Sequence, residues 1–471
     1  MTIHSIAASL FRKLSLSHSP SLLASALFLT ATTSSSVVFG GDQLKLQEIQ
    51  AKVSASNIEK DINTLVNFGT RHSLSITESD TRGIGAARRW IKSEFEKISE
   101  QCGGCLEVYF QSDVIEGQRR IPNPTEIVSV IAIQKGAIDP SRYVVMSGDI
   151  DSRVSDPMNF SSDSPGANDN ASGLAGLLET ARVLSQYNFN GSIIYAALAG
   201  EEQGLWGGKI MAKQAKEDGW RIKGVLNNDM IGNIAGINGV INNTTARIFS
   251  EGTRANETEE EARLRRFTGG EVDSASRNLA RYIDRIADDY IPNLDTMLVY
   301  RLDRFKRGGH HRPFNMEGFP ALRIMETNEH YNRQHNDIRI EDGVEYGDVI
   351  SGVDFDYAAK LTSLNAVSLA SMAWAPSPPA KVEIFGAVEP DTKLTWAAAS
   401  SDEKDIIKGY KVYWRYTDQP QWQFSQYVGN VTEYTLQNVV IDNYYFGVAS
   451  VSKEGYESPV VFPGPAGAFG E

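Results

Sequence analysis

From residue 127 onward, short and wholly apolar runs of strand length alternate with helical stretches, and few folds accept that rhythm. Residues 127–133, 143–146, 193–198 and 225–228 read as buried strands. Residues 172–187 and 206–217 between them read as helices, the first with Ser172 as N-cap. Strands apolar on both faces and separated by helices predict a mostly parallel central sheet flanked by helices. Upstream, residues 43–100 look helical, with Ile84, Ala87, Trp90, Ile91, Phe95 and Ile98 at helical spacing. Residues 253–266 are charge-rich and predict a solvated surface segment, either a helix or an excursion. At 375–379 the run APSPP reads as a linker, after which the helical pattern stops. Residues 382–385, 393–396, 409–416, 434–436 and 444–451 are then short strands at the spacing of a small all-β sandwich.

With 471 residues the chain has room for two or three domains. The expected division is an export signal at 1–40, a catalytic α/β domain at 41–374, the linker, and a β domain at 380–467. Arg12 and Lys13 precede the apolar run at 21–32, which is short for a membrane span and is followed by small residues up to Gly40. That pattern predicts secretion, extracellular or periplasmic. No later stretch is expected to span a membrane. A formal charge of -13 argues against nucleic acid or an anionic membrane surface as partner. The only two cysteines, Cys102 and Cys105, lie in QCGGC, and in an exported chain they predict a local disulfide.

Acidic residues and glycines cluster at predicted strand ends in four places: Gly148-Asp149-Ile150-Asp151, Asn168-Asp169-Asn170, Gly200-Glu201-Glu202 and Asn228-Asp229. Ligands in open α/β sheets gather at the carboxyl ends of the strands. Carboxylates crowded there repel one another unless a cation joins them, so the pattern points to a metal cluster. In the adjacent pair Glu201-Glu202, one carboxylate can bind metal while the other moves a proton.

These motifs resemble the family of two-zinc aminopeptidases, whose relatives include glutamate carboxypeptidase, the transferrin receptor and glutaminyl cyclase. The matching segments are PGANDNASG (Pro165 to Gly173), GEEQGL (Gly200 to Leu205) and NNDMIG (Asn227 to Gly232). GTRHSLS (Gly69 to Ser75) and GIGAARRWI (Gly83 to Ile91) match ahead of the sheet, and the resemblance covers roughly residues 45–370. It implies two Zn2+ ions, with Asp169 bridging them, Glu202 on one and Asp229 on the other. It implies Glu201 as general base, with Asp151 in support. The last ligand follows a GxPA-like strand, here Gly318 to Ala321, which selects His335 over His330. The implied activity is release of N-terminal residues from peptides or proteins. In the C-terminal part, Trp396, Tyr410-x-Val412-x-Trp414 and Tyr444-x-Phe446-x-Val448 resemble a fibronectin type III domain, with no partner indicated.

Two departures matter. The family's first ligand is a His two residues before an Asp; here that position is Asp149, with Asp151 matching the Asp. A carboxylate can replace imidazole on zinc, but it favours harder metals such as Mn or Mg and leaves Asp151 without an imidazole to orient. Gln334 stands where some relatives place a carbonyl-binding Tyr, with Tyr331 as a substitute. His72 reads as structural, and His310 and His311 as a turn or substrate wall. A weakened first metal position would also suit a glutaminyl-cyclase-like single-zinc enzyme. A non-catalytic binding protein is the reading from another class, but it has no need of Glu201, Glu202 and Asp229, and all three are present.

Overall fold

The computed structural model describes residues 43–398 and 400–470, so the export signal expected at 1–40 lies outside the described residues. Helices α1 (Gln43–Lys52), α2 (Ala55–Val66) and α3 (Gly83–Gln101) come first. The helical reading of 43–100 breaks at residues 67–82. Arg71 lies there, fully buried, and its guanidinium donates to the carbonyls of Leu65, Ile150 and Gly166. Such a group needs several fixed acceptors, and a helix interior offers none.

Strands β1 (Leu106–Ile115), β2 (Thr125–Gln134), β3 (Asp139–Asp149), β4 (Gly191–Leu198), β5 (Arg221–Asn228), β6 (Thr245–Ser250), β7 (Asp295–Val299) and β8 (Ala321–Glu326) form one eight-stranded sheet in the order β1-β2-β4-β3-β5-β8-β6-β7. The central strands β4, β3, β5 and β8 run parallel, while β1, β2 and β6 pair antiparallel at the flanks. The sheet is therefore mixed, parallel where the acidic loops emerge. The half-exposed strand β1 escaped the sequence reading because its alternation is broken by Gln111, Ser112 and Asp113.

Helices α4 (Ala171–Leu184), α5 (Trp206–Glu217), α7 (Ala275–Tyr290) and α9 (Phe355–Trp374) pack on the sheet. The charged helix α6 (Glu259–Thr268) buries no side chain and is stopped at its start by a Thr258–Glu261 capping box. A short helix α8 (His311–Met316) precedes β8, and a small hairpin β9 (Arg339–Glu341) and β10 (Val344–Tyr346) follows it. The N-cap of α4 is Asn170 rather than Ser172, whose hydroxyl instead donates to the Asn168 carbonyl. Gly173 explains how tightly α4 seats: a Cβ there would lie 2.4 Å from the Asn228 carbonyl oxygen. Cys102 and Cys105 form a disulfide.

The C-terminal part holds β11 (Ala380–Phe385), β12 (Thr392–Ala397), β13 (Ile407–Tyr416), β14 (Phe424–Gly429), β15 (Glu433–Leu436) and β16 (Tyr444–Ser452). They make two three-stranded antiparallel sheets, β11-β12-β15 and β14-β13-β16. Residues 375–379, expected to be a linker, are buried. Arg142 of β3 donates to Glu403 at 2.8 Å and to the Met372 carbonyl at 2.9 Å, while Glu403 also accepts from the Ser377 amide at 2.7 Å. Asp273 joins Arg281 of α7 at 2.9 Å and Arg415 of β13 at 2.7 Å. Trp374 stacks on Tyr456 with centroids 5.0 Å apart. Both partners of the Arg142–Glu403 pair are excluded from water, so removing one strands a buried charge. Arg142→Met should lower unfolding stability by about 3–5 kcal/mol, measurable by urea denaturation monitored through tryptophan fluorescence.

Candidate metal centre

Because β4, β3, β5 and β8 are parallel neighbours, the loops leaving their carboxyl ends share one rim of the sheet. Asp149 and Asp151 leave β3, Glu201 and Glu202 leave β4, Asp229 leaves β5, and the loop after β8 carries His335. Asp169 stands just ahead of α4, and Asn170 ties the loops together. Its amide donates to Asp149 at 2.8 Å and to the Asn228 carbonyl at 2.7 Å, and its oxygen accepts from the Gly173 and Met230 amides.

Three of the expected ligands converge. His335 Nε2 lies 2.9 Å from Asp169 Oδ2 and 2.9 Å from Glu202 Oε1. The three ligand atoms lie within 4.8 Å of one another, the only such group of ligand atoms among the described residues. Two carboxylates and an imidazole are a chemically apt set for Zn2+, which at catalytic sites takes three protein ligands and keeps a fourth position open. The set is braced from behind. Asp348 accepts from the Asn168 and Asp169 amides at 2.9 and 2.7 Å, and Gln334 donates to Asp169 at 3.2 Å. Arg153 Nε is 2.7 Å from Glu202 Oε2, and its Nη2 is 2.7 Å from His335 Nδ1. The backbone is bent to suit: Leu205, Met230 and His335 all have positive φ, a conformation that costs side-chain-bearing residues energy.

The charges are strongly shifted. Burial works against the His335 cation, but Glu202 and Asp169 outweigh it and push the ring up to about 9. Burial would raise Asp169 and Glu202, yet the His335 ring holds both carboxylates below their ordinary range. Glu201 goes the other way: loss of water, then the neighbouring Glu202 and Asp229 carboxylates, raise it well above a normal glutamate. A half-buried carboxyl whose proton is held more tightly than a normal glutamate's, next to the triad, has the character of a group that takes and gives a proton. Asp151 adds no ligand atom to the triad. It accepts from the Glu201 and Glu202 amides at 3.0 Å each and from Ser73 at 2.8 Å, and so holds the Glu201-Glu202 turn.

Asp149 and Asp229 are brought to the same rim but not into the triad. Asp149 has both oxygens engaged, one 2.6 Å from His310 Nδ1 and the other by Asn170. Burial pushes it up to about 8. Asp229 Oδ2 lies 2.9 Å from Nη2 of Arg323, a fully buried side chain of β8 that also contacts Asp303 at 3.2 Å. The other oxygen, Asp229 Oδ1, is buried with no hydrogen-bond partner. A guanidinium thus stands against the carboxylate where the family resemblance implies a second metal. His330 is outside the triad, His72 bonds Pro157 and Gln203, and His311 bonds the Leu302 carbonyl. Sequence reasoning missed Arg153, Arg323 and Asp348. Arg153 lies two residues past Asp151 and could have been noticed there; the other two have no local motif and reach the site only through folding.

The triad opens into a cleft of about 820 Å³ lined by Asp169, Glu201, Glu202, Asp229, Tyr331, Gln334 and His335, with several arginines and lysines. Fold and site together define an α/β protein with a triad able to hold a metal ion at the carboxyl ends of its strands. The family model for Peptidase family M28 matches residues 129–343. A probable zinc metalloprotease of Leptosphaeria maculans is 43% identical over 423 residues, 89% of this chain and 97% of the relative. Another, from Pyrenophora teres f. teres, is 41% identical over 90% of this chain and 87% of its own length. The crystal structure of the Legionella pneumophila LapA aminopeptidase superposes with a TM-score of 0.52 at 19% identity, covering 71% of this chain and 76% of that one, and so shares the fold. The chain belongs to peptidase family M28. Among the described residues, no helix is long and apolar enough to cross a membrane. Replacing His335 with Ala should weaken zinc binding at least about a hundredfold, read as metal per chain by mass spectrometry after dialysis against a competing chelator.

Proposed function

We propose that this protein is an exported zinc metallopeptidase that releases N-terminal residues from peptides and works with one zinc ion. The carrying observation is the Asp169–Glu202–His335 triad with the proton-holding Glu201 next to it. The names of the Leptosphaeria and Pyrenophora relatives support zinc and proteolysis. The fold shared with the LapA aminopeptidase supports the aminopeptidase reading. The disulfide supports export, and the sheet orders of the C-terminal domain support the fibronectin type III reading.

Zinc held by the triad would supply Lewis-acid polarisation of the scissile carbonyl and lower the pKa of water. The chain's own residues do the rest. Glu201 takes the proton of the attacking water and passes it to the nitrogen of the leaving amine. Asp151 fixes the direction of that carboxyl through the Glu201 amide. Arg153 holds Glu202 and His335 in place from behind. Asp229 lines the cleft and its Oδ1 has no hydrogen-bond partner, so we assign this carboxylate as the acceptor for the substrate's ammonium group.

Arg323 on Asp229 and the saturated oxygens of Asp149 support a single metal over the two that the family resemblance implies. One-metal chemistry also favours a second reading, cyclisation of N-terminal glutamine. The two are told apart by incubating purified protein with peptides bearing free N-termini, one beginning with Gln, and weighing the products. Loss of the first residue, abolished by chelation and restored by zinc, is expected; loss of ammonia from the Gln peptide alone would sink the peptidase reading. One zinc per chain is expected. Glu201→Gln should lower kcat by about 10²–10⁴-fold while zinc content stays unchanged.

A further inference from the structure

The cleft carries an excess of positive charge that the triad does not use. Seven arginine and lysine side chains line it, against four carboxylates, all four already placed in the triad, the base or the ammonium acceptor. Three of the seven are occupied: Arg153 by Glu202, and Arg304 and Arg307 by Glu329. The remaining four, Arg120, Lys209, Lys306 and Arg312, form no ion pair among the described residues. In a chain of net charge -13 with 59 acidic residues, this cleft is lined by more cationic than anionic side chains.

Lys209 and Arg312 are the focus. Lys209 lies on α5, one turn beyond Leu205, with its ammonium 4.1 Å from the Trp206 ring centroid. Arg312 lies on α8 and packs on the bare backbone of Gly308, where an added Cβ would come within 2.6 Å of the guanidinium. The two cations feel each other: burial and then the charge of Arg312 lower the Lys209 pKa. Helices α5 and α8 pack on one another and both side chains line the same cleft, so two like charges without an acidic partner share one space, which raises the energy of the empty cleft. An anionic group bound between them removes that cost. A guanidinium can grip a carboxylate with two parallel N–H bonds while an ammonium adds a point charge.

We propose that Lys209 and Arg312 bind a carboxylate of the substrate, so that the enzyme prefers peptides carrying an acidic group close to the bond it cuts. The inference rests on the peptidase reading and deepens it. The carboxylate can come from an acidic side chain or from the free C-terminus of a short peptide, and both have the same chemistry.

The test uses the purified zinc-loaded protein and two matched pairs at low salt. Leu-Asp-Gly-amide is compared with Leu-Asn-Gly-amide, and Leu-Gly with Leu-Gly-amide; mass spectrometry identifies the bond cut in each. The acidic member of at least one pair should show a kcat/KM at least about fivefold higher, and the advantage should shrink as ionic strength rises. The first pair reports a side-chain carboxylate and the second a terminal one. In Lys209→Gln/Arg312→Gln the ratio should fall to near one, and in Lys209→Arg it should persist. Partial unfolding scales both members of a pair by the same factor, so it cannot by itself bring the ratio to one. Equal turnover within both pairs, or a ratio undiminished in the double variant, would overturn the proposal. Cleavage at a bond other than the first would overturn the aminopeptidase reading alone, because the charge ratio is scored on whichever bond is cut.

Discussion

Mutual repulsion among carboxylates at one rim of the sheet is the constraint that the rest of this structure answers to. Parallel strands bring Asp149, Asp151, Asp169, Glu201, Glu202 and Asp229 toward one place, and burial removes the water that would screen them. Each is satisfied differently. Asp169 and Glu202 share His335, the spot suited to a metal. Asp149 takes His310 and Asn170, Asp229 takes Arg323, and Asp151 takes backbone amides. Glu201 is left among negative neighbours, and that isolation makes it hold its proton more tightly than an ordinary glutamate. The chemistry follows from which carboxylates receive a permanent cation and which receive only a proton.

The sheet was legible in the sequence because its central strands are buried on both faces and read as unbroken apolar runs. The flanking strands were less so. β1 is half exposed, and β7 is an edge strand with no fully buried residue, so neither leaves a clean pattern. The acidic motifs were visible because each is a contiguous run at a strand end. His335 could be picked out by its place after the strand that became β8. Arg323 could not: it sits in Ala321–Glu326, where a lone Arg in an apolar strand gives no hint of facing Asp229 across the β5–β8 pair.

The position of Asp149 shows how one exchange propagates. An imidazole there would present a nitrogen to a metal and a second nitrogen to Asp151. A carboxylate does neither. In this chain Asp151 turns to the Glu201-Glu202 amides, and the imidazole of His310, at the start of α8, approaches Asp149 instead. Arg323, reaching Asp229, completes a set in which protein cations and hydrogen bonds occupy the half of the rim away from the triad. The resemblance read from motifs therefore holds most closely around Asp169, Glu202 and His335.

β3 carries this rim at one end and is gripped at the other. Arg142, near its start, is clasped by Glu403 of the C-terminal domain, and Asp149 is its last residue. The two β-sheets that follow Trp374 are thus part of the scaffold on which the acidic loops are built. A domain held by buried charge in this way is not an interchangeable module. In the course of descent it would have to be kept, lost or replaced together with the residues of β3 and α7 that meet it, and recombination at residues 375–379 would separate charges that neither half can leave alone.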